Sequence, residues 1–146
     1  MRILVAEDDD VSRLALEALL AKRGHEVLTA ADGQEAWDIL QREGNRPALA
    51  ILDWMMPELD GVQVCRRLRQ DPVLRGMYVI MLTSRGDRRH QDEGIRAGAN
   101  DYVTKPFVNE QLLARVNVAE ERVRTWEGSA ERDCDQEEPM TNTNAT

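Results

Sequence analysis

The stretch "AILDWMMPELDG", residues 50–61, decides how the chain is read. An apolar run ends in Asp53 and is followed at once by Trp54, two methionines and Pro57. Together with Ala48 and Leu49 the run is short, continuous and apolar, as a strand buried on both faces should be. A carboxylate at the end of such a strand, taken alone, is a turn former. It becomes chemistry only if other parts of the chain bring partners to it.

Four similar runs lie on either side. "RILVA" (2–6), "HEVLTA" (25–30), "YVIMLT" (78–83) and "NDYVT" (100–104) are strand candidates. Between them fall helical segments. In Val11–Arg23 the apolar residues Val11, Leu14, Ala15, Ala18 and Leu19 fall at helical spacing, and Gly24 is placed as a stop. Further helices are expected over Gln34–Glu43, over "GVQVCRRLRQ" up to Asp71-Pro72, and over Arg88–Ala97 before Gly98. The last is expected over 109–126, with Asn109 as its N-cap. Five strands alternating with five helices predict an α/β fold: a doubly wound five-stranded parallel sheet with helices on both faces. In that architecture ligands gather at the carboxyl ends of the strands. Asp53 ends the third strand, Glu7 and Asp8 follow the first, Thr83 ends the fourth, and Lys105 follows the fifth. Four strand ends thus aim polar groups at one rim.

Composition bounds the alternatives. At 146 residues, 42% hydrophobic and 32% charged, the chain suits one soluble domain with an aliphatic core, since aromatics are only 4%. No apolar run approaches the roughly 20 residues needed to span a bilayer, and the acidic start is not a secretory signal. Cys65 and Cys134 make no disulfide framework, which fits a cytoplasmic setting. A net charge of −8 argues against direct nucleic acid binding. The acidity is uneven. Glu127, Glu131, Asp133, Asp135, Glu137 and Glu138 against Arg132 give the last twenty residues −5, leaving −3 for residues 1–126. Residues 126–146 therefore read as an acidic, disordered tail on a domain of residues 1–125.

Three carboxylates in one crevice repel unless a cation intervenes. Carboxylates, a backbone carbonyl and water are what Mg2+ accepts. Glu7, Asp8 and Asp53, with the backbone carbonyl of Met55, therefore predict a magnesium site, and Asp53 is the candidate nucleophile toward a phosphoryl group. The Lys105 ammonium and the Thr83 hydroxyl would donate to the phosphoryl oxygens. Asp60 is expected to cap the helix that follows it. Of the later acids after the first strand, Asp9 and Asp10, one, Asp10 above all, should cap the first helix. Trp54 and Cys65 are expected in the core, and His25 and His90 outside the chemistry.

The motifs "ILVAEDD", "LDWMMPELDG", "VIMLTS" and "GANDYVTKPF", in that order, resemble the receiver domain of bacterial two-component response regulators over residues 1–125. The resemblance implies the flavodoxin-like strand order 2-1-3-4-5. It also implies phosphorylation of Asp53 by a histidine kinase or phosphotransfer protein, with the acidic pair at Glu7 and Asp8. Thr83, Lys105 and Ser84 would contact the phosphoryl group, Ser84 standing where the family usually has alanine or glycine. Tyr102 would act with Thr83 as the switch, and the Lys105-Pro106 bond would be cis. Met55 and Arg85 hold the positions where the family varies and would tune the lifetime of the acyl phosphate. Phosphorylation would alter the face of the fourth helix, fifth strand and fifth helix, which serves protein–protein signalling and, in some relatives, homodimerisation.

The enzymology implied is limited to self-phosphorylation from phosphodonors and autodephosphorylation. The alternative is a receiver fragment of a larger regulator with a DNA-binding or cyclic-nucleotide output domain; the sequence favours a stand-alone regulator. A haloacid-dehalogenase-type phosphatase would need an acid at Met55, and a flavin carrier would meet repulsion from the acids after the first strand. The kinase and the downstream target are not written in the sequence.

Overall fold

The computed structural model describes residues 1–42, 44, 46–84 and 88–136, with residues 84, 88–90 and 125–136 described by backbone alone. The elements alternate: β1 (Arg2–Ala6), α1 (Asp10–Lys22), β2 (Glu26–Ala30), α2 (Gly33–Gln41), β3 (Leu49–Asp53), α3 (Gly61–Gln70), β4 (Tyr78–Ser84), α4 (Arg88–Ala97), β5 (Asp101–Lys105) and α5 (Asn109–Gln136). The strands form one sheet of order β2-β1-β3-β4-β5, every pair parallel. Fold class and strand order are those expected.

Successive strand residues point to opposite faces, so each strand feeds two cores. Leu4, Ala50, Leu52, Val79 and Met81 pack with Ile39, Leu40, Val64, Cys65 and Leu68 of α2 and α3. Ile3, Val5, Ile51, Ile80 and Leu82 pack with Leu16 and Leu20 of α1 and with Leu112 and Val116 of α5. All five residues of β3 are buried, which explains why its sequence shows no alternation. Trp54 and Cys65 are in the first of these cores.

Helix ends follow local chemistry. Asp60 caps α3 in a reciprocal box with Gln63, and Asp32 caps α2 through the Glu35 N–H. Gly24 closes α1 at φ 87°, a left-handed conformation that glycine adopts without a Cβ clash. Three expectations need correction. The cap of α1 is Asp9, whose carboxylate accepts from the Ser12 N–H at 2.8 Å; Asp10 is the first helical residue. The Val108 carbonyl accepts the first bonds of α5, so Asn109 lies just inside that helix. The backbone of α5 runs on to Gln136, past the expected end at Trp126.

The apolar residues at helical spacing in α1 do not all face the core. Val11 and Leu14 are 76% and 63% exposed, and Ala15 and Ala18 are exposed beside them. Leu16 and Leu20 are buried instead. "VSRLALEALL" carries two apolar stripes at helical spacing, and periodicity alone cannot choose between them. Arg13 helps set the phase, because its guanidinium donates to the Glu7 carbonyl and so turns residues 13, 16 and 20 inward.

Candidate functional site

Parallel strands all end at one edge, and the order reverses between β1 and β3, which opens a crevice there. Glu7 lies just past β1 and is completely buried. Asp53, the last residue of β3, is only 5% exposed. Asp8 is exposed beside them, and one oxygen from each of the three carboxylates lies within 4.8 Å of the others. Lys105, the last residue of β5, reaches across the rim. Its Nζ stands 2.9 Å from Glu7 Oε1 and 3.2 Å from Asp53 Oδ2.

Among the described residues, a single ammonium faces two buried carboxylates. Burial, then the hydrogen bond and like charge of Glu7, push Asp53 up to about 7 against the opposing pull of Lys105. For Glu7 burial also works upward, but hydrogen bonds from Asp53 and Lys105 outweigh it and hold the group below the ordinary carboxylate range. Lys105 is held above its usual value, since its bonds to the two acids outweigh burial. Of the two, Asp53 is thus the harder to ionise. All-oxygen donors at this separation fit a small hard cation, which would take up the excess negative charge.

The loop after Asp53 is built for close approach. Trp54 N–H donates to Leu82 O, extending the pairing of β3 with β4 beyond Asp53. Gly61 N–H donates to Trp54 O, and a Cβ at Gly61 would stand 2.4 Å from the Asp53 carbonyl oxygen. Only glycine lets α3 begin so near the site. Glu58 turns the loop at φ 71°, a conformation costly for a side chain.

The other expected residues fall as follows. Thr83 is buried near the end of β4, in register with Thr104. Ser84 ends that strand in register with Lys105, and its side chain lies outside the description. Arg85 lies outside the described residues, as does the side chain of His90. Met55, two residues past Asp53, is 62% exposed. Tyr102 is 36% exposed on β5, in register with Met81. The Lys105-Pro106 peptide bond is cis.

Two arginines escaped the sequence reading. Arg13 reaches the Glu7 carbonyl and Asp10 Oδ1 from the first turn of α1. Its three-residue spacing from Asp10 was the available signal. Arg69 binds the amino-terminal edge of the sheet through the carbonyls of Arg75, Met77 and Gly98 and the side chain of Asn100, and no local pattern marks it.

The profile of the response regulator receiver domain matches residues 3–117. The chain belongs to that family. Among curated proteins it is 39% identical over 122 residues to the response regulator RppA of Synechocystis, covering 84% of this chain and 51% of that protein. It is 42% identical over 123 residues to the phosphate regulon transcriptional regulatory protein PhoB of Rhizobium meliloti, covering 84% and 53%. The chain therefore spans about half the length of these relatives. Among solved structures, the receiver domain of Francisella response regulator 1452 superimposes with a TM-score of 0.75 at 32% identity, covering 83% of this chain and 97% of that one. A response regulator receiver domain protein from Clostridium thermocellum gives 0.78 at 30%, covering 86% and 98%. Among the described residues, no helix is long and apolar enough to cross a membrane.

Proposed function

We propose that Asp53 accepts a phosphoryl group from a histidine kinase or phosphotransfer protein in a magnesium-dependent reaction. The observation that carries this reading is the unbalanced cluster: Glu7, Asp8 and Asp53 within 4.8 Å, with Lys105 on two of them. Glu7, Asp8, Asp53 and the backbone carbonyl of Met55 would hold Mg2+. When bound, the ion offsets the charge that gathers on the phosphoryl oxygens. Deprotonated Asp53 attacks phosphorus as the bond to the donor imidazole breaks, leaving an acyl phosphate. Lys105 then exchanges its bond to Asp53 for one to a phosphoryl oxygen, and Thr83 and Ser84 donate from the end of β4.

The same groups would form the switch. The phosphoryl group adds about −1.5 to −2 charge beside Lys105 and draws Thr83 toward it. Tyr102, half outside in this structure, follows inward and changes the face of α4, β5 and α5 for a protein partner or a second copy. Met55 and Arg85 set how readily water reaches the acyl phosphate. The chain's own enzymology is confined to taking phosphate from donors and losing it again.

The exposed stripe of α1 supports partner docking near the site. Val11, Leu14, Ala15 and Ala18 present apolar surface just beyond Asp8, where the apolar face of a helix on the phosphodonor would fit. A second reading, the receiver as part of a larger regulator with an output domain, is favoured by the half-length coverage of the curated relatives.

Intact mass after incubation with acetyl phosphate tests the first reading. One phosphoryl addition that requires both Mg2+ and Asp53 is expected. Equal uptake by Asp53→Asn would overturn it.

A further inference from the structure

Glu7 stands one residue beyond β1, where the sheet no longer surrounds it, yet every polar group of the residue is held. Its N–H donates to Ala30 O at 3.0 Å. One carboxylate oxygen accepts from Lys105 and the other from the Asp9 N–H at 3.1 Å. Its carbonyl accepts from Arg13 Nη1 at 2.9 Å, while Arg13 Nη2 reaches Asp10 Oδ1 at 2.5 Å. The Arg13 side chain is only 20% exposed, so a long, flexible chain is laid down along the loop.

We propose that Arg13 is a positioning residue for the metal site: its guanidinium fixes the peptide plane between Glu7 and Asp8 and thereby aims Asp8 at the ion. The carbonyl it holds and the Asp8 N–H belong to one rigid planar unit. Anchoring that unit restrains the dihedral on each side, and so the direction in which the Asp8 side chain leaves the backbone. Asp8 needs the help, because it is the exposed member of the acidic group and packing does not confine it. Arg13 can restrain the loop without occupying a ligand position, since its bonds go to a backbone carbonyl and to Asp10. The two bonds splay from one planar fork, a geometry lysine cannot reproduce with a single ammonium. The inference rests on the magnesium reading above.

Charge alone makes the opposite prediction. Removing a cation beside a cation site should tighten Mg2+ binding, whereas loss of positioning should weaken it. The sign separates the two. Mg2+ titrations followed by tryptophan fluorescence on the full chain would compare wild type, Arg13→Met and Arg13→Lys, with urea unfolding without Mg2+ in parallel. Arg13→Met is expected to raise the Mg2+ Kd roughly tenfold, as loss of an outer partner of metal ligands does. Arg13→Lys should raise it less. Phosphorylation of Arg13→Met by acetyl phosphate should return to the wild-type rate at saturating Mg2+.

An unchanged or tighter Kd in folded Arg13→Met overturns the proposal. A rate still depressed at saturating Mg2+ overturns it too, by placing Arg13 in the chemistry itself. If Arg13→Met does not fold, Arg13→Lys carries the test, and a wild-type Kd there counts against positioning. If wild type itself gives no response to Mg2+, the magnesium reading fails and takes this inference with it.

Discussion

Two places in the molecule take charge out of water, at opposite edges of the same sheet, and they do so differently. At the carboxyl edge, Glu7 and Asp53 share one ammonium, and Asp53 is driven up to about 7. At the amino edge, Arg69 spends its donors on neutral acceptors: Gly98 O at 2.8 Å, Arg75 O at 2.7 Å, Met77 O at 2.6 Å and Asn100 Oδ1 at 2.8 Å. Asn100 Oδ1 also accepts from the Val79 N–H, so the end of α3, the end of α4 and the starts of β4 and β5 are tied together. In the second arrangement four of the five guanidinium N–H groups are bonded to protein acceptors. Among the described residues the first is unbalanced, and that imbalance is what a cation or a phosphoryl group can use. Buried charge marks structure where its partners are complete and function where they are not.

The contrast can be broken from either side. Arg69→Ala takes a donor from three carbonyls and leaves the Asn100 amide oxygen with the Val79 N–H alone, and we expect a loss of about 3 kcal/mol, read as a lower urea midpoint, with phosphorylation of the folded fraction retained. Asp53→Asn should do the reverse. Removing a buried carboxylate that opposes Glu7 should stabilise the Mg2+-free protein by about 1 kcal/mol while abolishing phosphate uptake. A destabilised Asp53→Asn would mean that Lys105 already balances the cluster.

Much of this was legible in the chain. The strands are short apolar runs, and the rim residues sit at their ends, so order along the chain led directly to the crevice. The phase of α1 was not legible. Val11 and Leu14 form as regular a stripe as Leu16 and Leu20, and the choice depends on contacts across the sheet and on Arg13 folding back to a carbonyl six residues earlier. Arg69 was hidden for a related reason. Three of its four partners are backbone carbonyls, which every residue carries. Main-chain acceptors leave no trace in a pattern of side chains.

Smaller effects sharpen the same comparison. Glu58→Gly relieves the left-handed turn in the rim loop and should stabilise by about 0.5–1 kcal/mol in thermal melts. His25, at the amino edge, has a buried Nδ1 with no partner. Burial, aided by the N-terminal amine and Arg23 and opposed by Glu120, lowers its pKa. The unfolded chain then takes up the proton first, so stability is present above the ordinary histidine pKa of about 6.5 and declines as pH falls below it. His25→Gln should flatten that part of the pH–stability curve.

The central claim is tested most directly by locating the phosphoryl group. Borohydride reduction of protein treated with acetyl phosphate and Mg2+, followed by peptide sequencing in a mass spectrometer, would convert an aspartyl phosphate to homoserine. The account predicts homoserine at position 53, with Asp8, Asp9 and Asp10 unaltered. Homoserine at one of those three positions, or uptake of phosphate that leaves Asp53 untouched, would contradict it.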